Sequence, residues 1–248
     1  MKYPKVSIVI VTYNAAEELR ATLANIARSN YPAFEVVVID GASTDHTASV
    51  VEDFSGVVNY YVSEPDSGIY DAMNKGLRAA TGEYVWYVNA GDLIHGPESI
   101  TRIFDGRPEN ADIYYGETLV RSGEGKELGL RKKKLPERLT WKSFRRGMVV
   151  CHQSILVRRE IAPEYDLRYR YAADVEWVLV ALKRAKTVVN THTILSEFFL
   201  GGASTVHRRE SLRERYDIMK RYFGTIPTWW AHIRFMFDAL KPDYRKVK

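Results

Sequence analysis

The sequence predicts an α/β fold with a mostly parallel central sheet and helices on both faces. Three observations carry the prediction. Strand and helix patterns alternate through the first hundred residues, the early strands are almost unbroken β-branched runs, and polar clusters follow each strand directly. Strands covered by helices on both faces read as continuous apolar runs, whereas half-exposed strands alternate.

Residues 6–11, Val-Ser-Ile-Val-Ile-Val, form the first such run. Residues 15–28 follow as a helix with Leu19, Leu23 and Ile26 on one stripe. Residues 35–39 make a second buried strand that ends at Asp40. Ser43, Thr44 and Asp45 offer caps for a helix in which Thr47, Val50, Val51 and Phe54 fall at i, i+3, i+4 and i+7. Residues 58–62 are a third strand. Ile69, Ala72, Met73, Gly76, Leu77 and Ala80 then hold helical spacing, and Gly82 ends that helix. Residues 84–88 are a fourth strand. Beyond about residue 100 the pattern loosens. Residues 113–120 and 153–157 read as strands, 123–134 as a basic mobile loop, 174–185 and 208–223 as helices, and 229–240 as an aromatic, amphipathic stretch.

A chain of 248 residues with 46% hydrophobic and 27% charged residues is long enough for one large α/β domain or two small ones. No apolar run approaches the roughly 20 residues that a membrane-spanning helix needs. The first residues lack a signal peptide's apolar stretch. Cys151 is the only cysteine, which excludes an internal disulfide and a cysteine metal cluster and suits a reducing cytoplasm. The net charge of +5 divides unevenly: residues 1–125 carry a net −9 and residues 126–248 a net +14. The basic half either forms a solvated surface or meets an anionic partner, such as a diphosphate, an anionic lipid or a nucleic acid. No recognition motif supports nucleic acid, which stays the non-enzymatic alternative.

Ligands of open parallel sheets bind at the carboxyl ends of the strands. Here those ends read Thr12-Tyr13-Asn14, Asp40-Gly41-Ala42-Ser43, Ser63-Glu64-Pro65-Asp66-Ser67-Gly68 and Asn89-Ala90-Gly91-Asp92. Four polar clusters at successive strand ends favour a site over ordinary turns. No G-x-G-x-x-G follows the first strand, and no P-loop is present. Carboxylates at strand ends suit a hard divalent cation, Mn²⁺ or Mg²⁺, that bridges phosphate oxygens, with Asp92 as the best candidate ligand. A sugar nucleotidyltransferase is the alternative enzyme. It would want a Gly-rich, Lys-containing loop after the first strand, and Thr12-Tyr13-Asn14-Ala15-Ala16 is not one.

At these motifs, and at Ile69-Tyr70-Asp71-Ala72-Met73-Asn74-Lys75-Gly76, the chain resembles the inverting family 2 glycosyltransferases of GT-A fold. Within them it is similar to the branch of bacterial polysaccharide and colanic-acid-type pathways. The resemblance implies a Rossmann-like GT-A domain over 1–205, with a nucleotide-sugar half at 1–100 and an acceptor half at 101–205, and a C-terminal helical extension at 206–248. It implies that Thr12, Asn14 and Asp40 line the nucleoside pocket. Asp66, Ser67, Gly68, Asn74 and Lys75 would border the base and diphosphate, and Asn89, Gly91 and Asp92 would stand in for the family's Asp-x-Asp, with Asp92 on the metal. The sequence departs from the family twice. Gly41 replaces the second Asp of a usual Asp-Asp that reads uracil, and Asn89 replaces the carboxylate that usually shares the metal.

The same resemblance makes Asp174, in Tyr171-Ala172-Ala173-Asp174-Val175-Glu176-Trp177, the base that deprotonates the acceptor hydroxyl; read alone, Asp174 is a helix N-cap. Asp174 and Glu176 point about 200° apart on a helix, so only one faces the site. His152, Gln153 and Glu176 are expected at the acceptor. His207, after the flexible Gly201-Gly202-Ala203-Ser204, either reaches the metal or starts a solvated helix. The donor is a nucleotide-sugar, by resemblance a UDP-sugar, and the acceptor a glycan or lipid-linked saccharide. Residues 223–248 pair Trp229, Trp230, Ile233, Phe235, Met236, Phe237 and Leu240 with His232, Arg234, Lys241, Arg245, Lys246 and Lys248. Three readings stand for that segment: contact with the cytoplasmic face of a membrane, a helix packed on the domain, or a homodimer contact.

Overall fold

The computed structural model describes residues 3–108, 110–200, 207–238 and 244–246. The β-branched runs do form the centre of the sheet. β1 (Val6–Thr12), β2 (Phe34–Asp40), β3 (Tyr60–Ser63) and β4 (Tyr84–Tyr87) pair in parallel in the order β4-β1-β2-β3. Every residue of β1 is buried. Alternation along β1 sends Ile8 and Ile10 to one face and Val9 and Val11 to the other. The first face is covered by α1 (Ala16–Ile26) and α2 (Thr47–Asp53) through Leu19, Leu23, Val50 and Val51. The second is covered by α3 (Ile69–Ala79), whose Met73 shares a core with Trp177 and Leu179.

The second half extends this sheet in mixed directions. β5 (Leu93–Ile94) and α4 (Ser99–Phe104) precede β6 (Ile113–Arg121), β7 (Glu127–Arg131) and β8 (Ile155–Arg158). α5 (Ala173–Arg184), β9 (Val188–Phe199), α6 (Arg208–Phe223), α7 (Thr225–Asp238) and β10 (Tyr244–Arg245) complete the described elements. β8 runs antiparallel to β4 and to β6, while β9 runs parallel to β6 and pairs with β5. Short 3₁₀ turns span Trp141–Arg146, His152–Ser154 and Arg159–Ile161.

Three expectations are corrected here. Within the supposed loop 123–134, Glu127–Arg131 forms β7, paired antiparallel with β6 and β10. It lies beside the two-residue edge strand β10, where its polar residues are tolerated, and that partner lies too far along the chain for local pattern to reveal. Gly129, at φ +137, lets the two backbones close in, since a Cβ there would stand 2.3 Å from Arg245 O. The third strand begins at Tyr60, not Val58, because the amides of Val57 and Val58 bond to Phe54 O and finish the α2 turn. The C-terminal segment is not helical alone: β10 returns it to the sheet, α6 packs on α5, and α7 packs on the Trp141–Arg146 turn.

Gly76 sets the distance between α3 and β1. A Cβ at this position would lie 2.3 Å from Val9 Cγ1. Gly76→Ala is therefore expected to destabilise the domain by ~1–3 kcal/mol through overpacking. Calorimetric unfolding checks this, and an unchanged Tm would show that the helix shifts without cost.

Candidate active site

The first two strand ends are stitched into one platform. Asn14 (φ +46) and Ala42 (φ +63) both adopt left-handed backbone without being glycine. Strain of this kind persists only where neighbours over-determine it. Asn14 N donates to Ser43 Oγ at 2.7 Å, and Thr44 N donates to Asn14 Oδ1 at 2.8 Å. Beneath them Asp40 is buried and accepts from Ser43 N and Oγ, from Ser63 Oγ at 2.6 Å and from Tyr61 OH at 3.3 Å. Asp40 thus ties the second strand end to the third. Asp45, expected as a cap, accepts from Thr47 N at 3.0 Å and also from Ala16 N at 3.1 Å, so one carboxylate serves the starts of α2 and α1.

The third strand end closes against this platform. Asp66 Oδ1 accepts from Gly68 N at 2.8 Å, and Gly68 (φ +123) opens α3. Ser67 N and Oγ each donate to Asp71 Oδ2 at 3.0 Å. A Cβ on Gly41 would lie 2.6 Å from Asp66 Oδ2. The half-buried Asp66 carboxylate therefore occupies the space that a side chain at 41 would fill. Lys75 Nζ donates to Pro65 O at 2.8 Å and pairs with Glu64 at 2.8 Å, bracing the loop. Asn74 is a correction. It is buried, and its amide exchanges two hydrogen bonds with the main chain of Tyr165, so it fastens α3 to the second half rather than bordering the cleft.

At the fourth strand end, Gly91 (φ +94) turns the chain. Thr22 Oγ1 on α1 accepts from Gly91 N at 3.0 Å and donates to Asp92 O at 2.9 Å. The Asp92 carboxylate is buried, and burial raises it to about 7. Its side-chain partner is Gln153, whose Nε2 donates to Oδ2 at 3.1 Å. Cys151 Sγ donates to Gln153 Oε1 at 2.9 Å, which sets the amide's orientation. Nearby along the strand ends, Thr12 Oγ1 and Asn89 Oδ1 are buried without a hydrogen-bond partner. Buried polar atoms are seldom left so, and an incoming ligand is one reason for it.

The second half supplies a further carboxylate. Asp174 lies in the first turn of α5, half-buried, but it does not cap the helix: the cap position is Ala172. Tyr70 OH, from the start of α3, donates to Asp174 Oδ1 at 3.3 Å. Positive charge at a helix N-terminus favours a carboxylate here. The acceptor-side expectations are corrected. Gln153 belongs to Asp92. Glu176 is buried and accepts from Tyr222 OH at 2.7 Å, which ties α5 to α6. His152 is buried against Tyr87, Trp177 and Tyr165, bonds the Tyr165 hydroxyl, and is lowered to about 4 by that burial, with Asp174 pulling the other way. His207 stacks on Tyr171 with ring centroids 4.7 Å apart. Among the described residues no three His, Cys, Asp or Glu side chains converge as a metal cluster. Gly201–Ser204 lies outside the described residues.

Gln153 holds Asp92, and its neighbour His152 bonds Tyr165, whose ring stacks on Tyr70, the donor to Asp174, so a run of contacts links the two carboxylates. Asp92 sits where ligands of such sheets bind, past a strand's carboxyl end, and residues 7–165 match glycosyl transferase family 2. The chain belongs to that family. The protein is a glycosyltransferase of GT-A fold. A PGL/p-HBAD biosynthesis glycosyltransferase of Mycobacterium bovis is 32% identical over 225 residues, covering 86% of this chain and 84% of that one. The crystal structure of S. aureus TarS 1–349 in complex with UDP-GlcNAc superposes with a TM-score of 0.66 at 21% identity, over 87% of this chain and 64% of that fragment. The Pyrobaculum calidifontis mannosyltransferase PcManGT, in complex with GDP-Man and Mn²⁺, gives 0.65 at 17% identity, over 97% of this chain and 76% of that one.

Sequence reasoning on this glycosyltransferase missed Thr22, Cys151 and Tyr70 as site supports. Only Tyr70 carried a local signal, its place inside the longest motif. Gly41→Ala tests the platform. The added methyl must displace Asp66, and nucleoside diphosphate affinity is expected to drop about tenfold, or ~1.4 kcal/mol, in isothermal titration. Unaltered affinity would remove Asp66 from the binding surface.

Proposed function

We propose that this glycosyltransferase catalyses an inverting transfer from a UDP-sugar to a hydroxyl of a glycan or lipid-linked saccharide in bacterial envelope polysaccharide assembly. The observation that carries the reading is the His152–Gln153 turn: Gln153 bonds Asp92, and His152 reaches Asp174 through Tyr165 and Tyr70, which we read as the donor-side and acceptor-side carboxylates. Asp174 is the base: it is half-buried, free of capping duty and steadied by Tyr70. It takes the acceptor proton as that oxygen attacks the anomeric carbon from the face opposite the diphosphate. The platform of Thr12, Asn14 and Asp40 receives the nucleoside. Asp66, standing where a side chain at 41 would be, supplies the carboxylate that accepts the uracil N–H. The UDP assignment draws on the TarS complexes, which hold UDP-GlcNAc and UDP. GDP is the second reading, drawn from PcManGT. A lone cysteine suits a reducing cytoplasm, where this reading places the chain.

The donor set fits a divalent cation. Asp92 offers one buried carboxylate, and Asn89 Oδ1 is an oxygen without a partner beside it in sequence. Mg²⁺ and Mn²⁺ sites commonly use one or two protein carboxylates and complete their shell with substrate phosphates and water. When bound, the cation neutralises charge on the departing diphosphate. Asp92 and Asn89 would hold it.

Asp174→Ala is expected to lower kcat by roughly 10²–10⁴-fold and leave nucleotide-sugar binding intact. Asp92→Ala should abolish metal-dependent nucleotide binding as well as turnover. Full activity in either variant would reject its assignment, and a product that retains the donor's anomeric configuration by NMR would reject inversion.

The Asp92 carboxyl adds a pH test. Its native value of about 7 lies above its ordinary 3.8, so the native state holds this proton more tightly than the unfolded chain does. Stability from that proton is complete below 3.8 and is lost as pH rises towards 7. Metal-free protein should lose stability across that window, and Asp92→Asn should flatten the decline. Mn²⁺ affinity should fall about tenfold per pH unit below 7, because cation and proton compete for the same oxygens. A pH-independent Mn²⁺ affinity would exclude Asp92 as the ligand.

A further inference from the structure

α7 carries apolar residues on the side that its own domain leaves uncovered. Thr228 is fully buried, and His232 packs against Tyr216 and Phe235. Ile226, Trp229 and Trp230 fall at i, i+3 and i+4, one helix face, yet they are 73%, 54% and 63% exposed. The two indoles touch each other edge to face at 5.4 Å. Neighbouring exposed apolar side chains of this size mark a contact surface rather than scattered surface residues.

The flank of this face is cationic. Phe223, three residues before Ile226, stacks on Trp141 at 5.7 Å, so Ile226 starts within about 11 Å of that junction by chain reach. Lys142 and Lys183 lie over the Trp141 ring, and Arg145 lies over Phe223. Trp141, Lys142 and Lys183 also line an open cavity of about 650 Å³ with Arg138 and Lys186. All four cations of that cavity are exposed, and its lining contains no Asp or Glu. A second copy of the chain docked on this corner would bring cations towards cations with no acid in the cavity to offset them. An anionic bilayer matches both parts: indole and aliphatic side chains enter the headgroup boundary, and the Lys and Arg groups meet lipid phosphates.

We propose that the α6–α7 corner docks the enzyme on an anionic lipid surface, with Ile226, Trp229 and Trp230 entering the interface and Arg138, Lys142, Lys183 and Lys186 contacting headgroups. The proposal stands apart from the donor and base assignments, because none of these residues belongs to the platform or to the two carboxylates. Among the described residues no helix is long and apolar enough to cross a membrane, so this contact is made from one side.

The test is sedimentation of the full chain with vesicles of phosphatidylcholine alone and of phosphatidylcholine mixed with phosphatidylglycerol. Binding is expected to the mixed vesicles only, and to weaken when salt rises from about 0.1 M to about 0.5 M. The double variant W229S/W230S should bind mixed vesicles at least about tenfold more weakly, through lost apolar insertion. K142E/K186E should lose about fivefold or more per position, since each cation near an anionic surface contributes about that factor. All four positions are exposed, so unfolding temperature and nucleoside diphosphate binding should match the wild type in both variants. Equal binding to both vesicle types, or no binding by the wild-type chain, would overturn the proposal. So would a dimer in ultracentrifugation that W229S/W230S converts to monomer without any vesicle binding, since a second copy would then be the occupant.

Discussion

A hydrogen bond from Gln153 to the buried carboxylate of Asp92 joins the two halves of this enzyme at its site. Asp92 follows β4, the last strand of the parallel half, and Gln153 precedes β8, which runs antiparallel to β4. A carboxylate this buried costs free energy when charged, and a single amide donor offsets only part of that cost. The site therefore rests with a carboxyl that shares its oxygens readily with a proton or a cation. Cys151 and Trp86 hold Gln153 in turn, the thiol through the side chain and the indole N–H through the backbone oxygen at 2.8 Å. The position of Asp92 thus depends on contacts from both halves, and on Thr22 of α1 below it.

The nucleotide platform is built differently, from strain and close approach. Asn14 and Ala42 occupy left-handed backbone because reciprocal hydrogen bonds between their loops compensate for it. Asp40 anchors the assembly from beneath through bonds to Ser43, Ser63 and Tyr61. The absence of a side chain at Gly41 then admits the Asp66 carboxylate from the next loop. A departure from the family pattern at one strand end is met by a residue from the neighbouring strand end.

The charge asymmetry of the chain also acquires a location. The acidic half contains the strand ends assigned to the donor under the proposed function. Part of the basic excess gathers at the far end of α5 from Asp174, beside the exposed indoles of α7. Under the two proposals, lipid contact falls at one end of α5 and the base at the other, and Glu176 bonded to Tyr222 ties that helix to α6.

How much of this was legible in the sequence follows from the range of each interaction. The parallel core, α1 to α3, the four polar strand ends and Asp92 could be read directly, because burial on both faces writes an unbroken apolar run and each motif lies within a few residues. β7 and β10 could not be read, since an edge pairing between residues 127–131 and 244–245 leaves no local period. Asn74, His152, Gln153 and Glu176 were identified as polar and placed in the site, but their partners lie 91, 13, 61 and 46 positions away along the chain. Sequence alone determined which chemistry the strand ends carry, since strand direction and residue type are local properties. Tertiary structure alone decided which polar groups remain available for a ligand and which are engaged by the protein, because hydrogen-bond satisfaction depends on neighbours that only folding brings into reach.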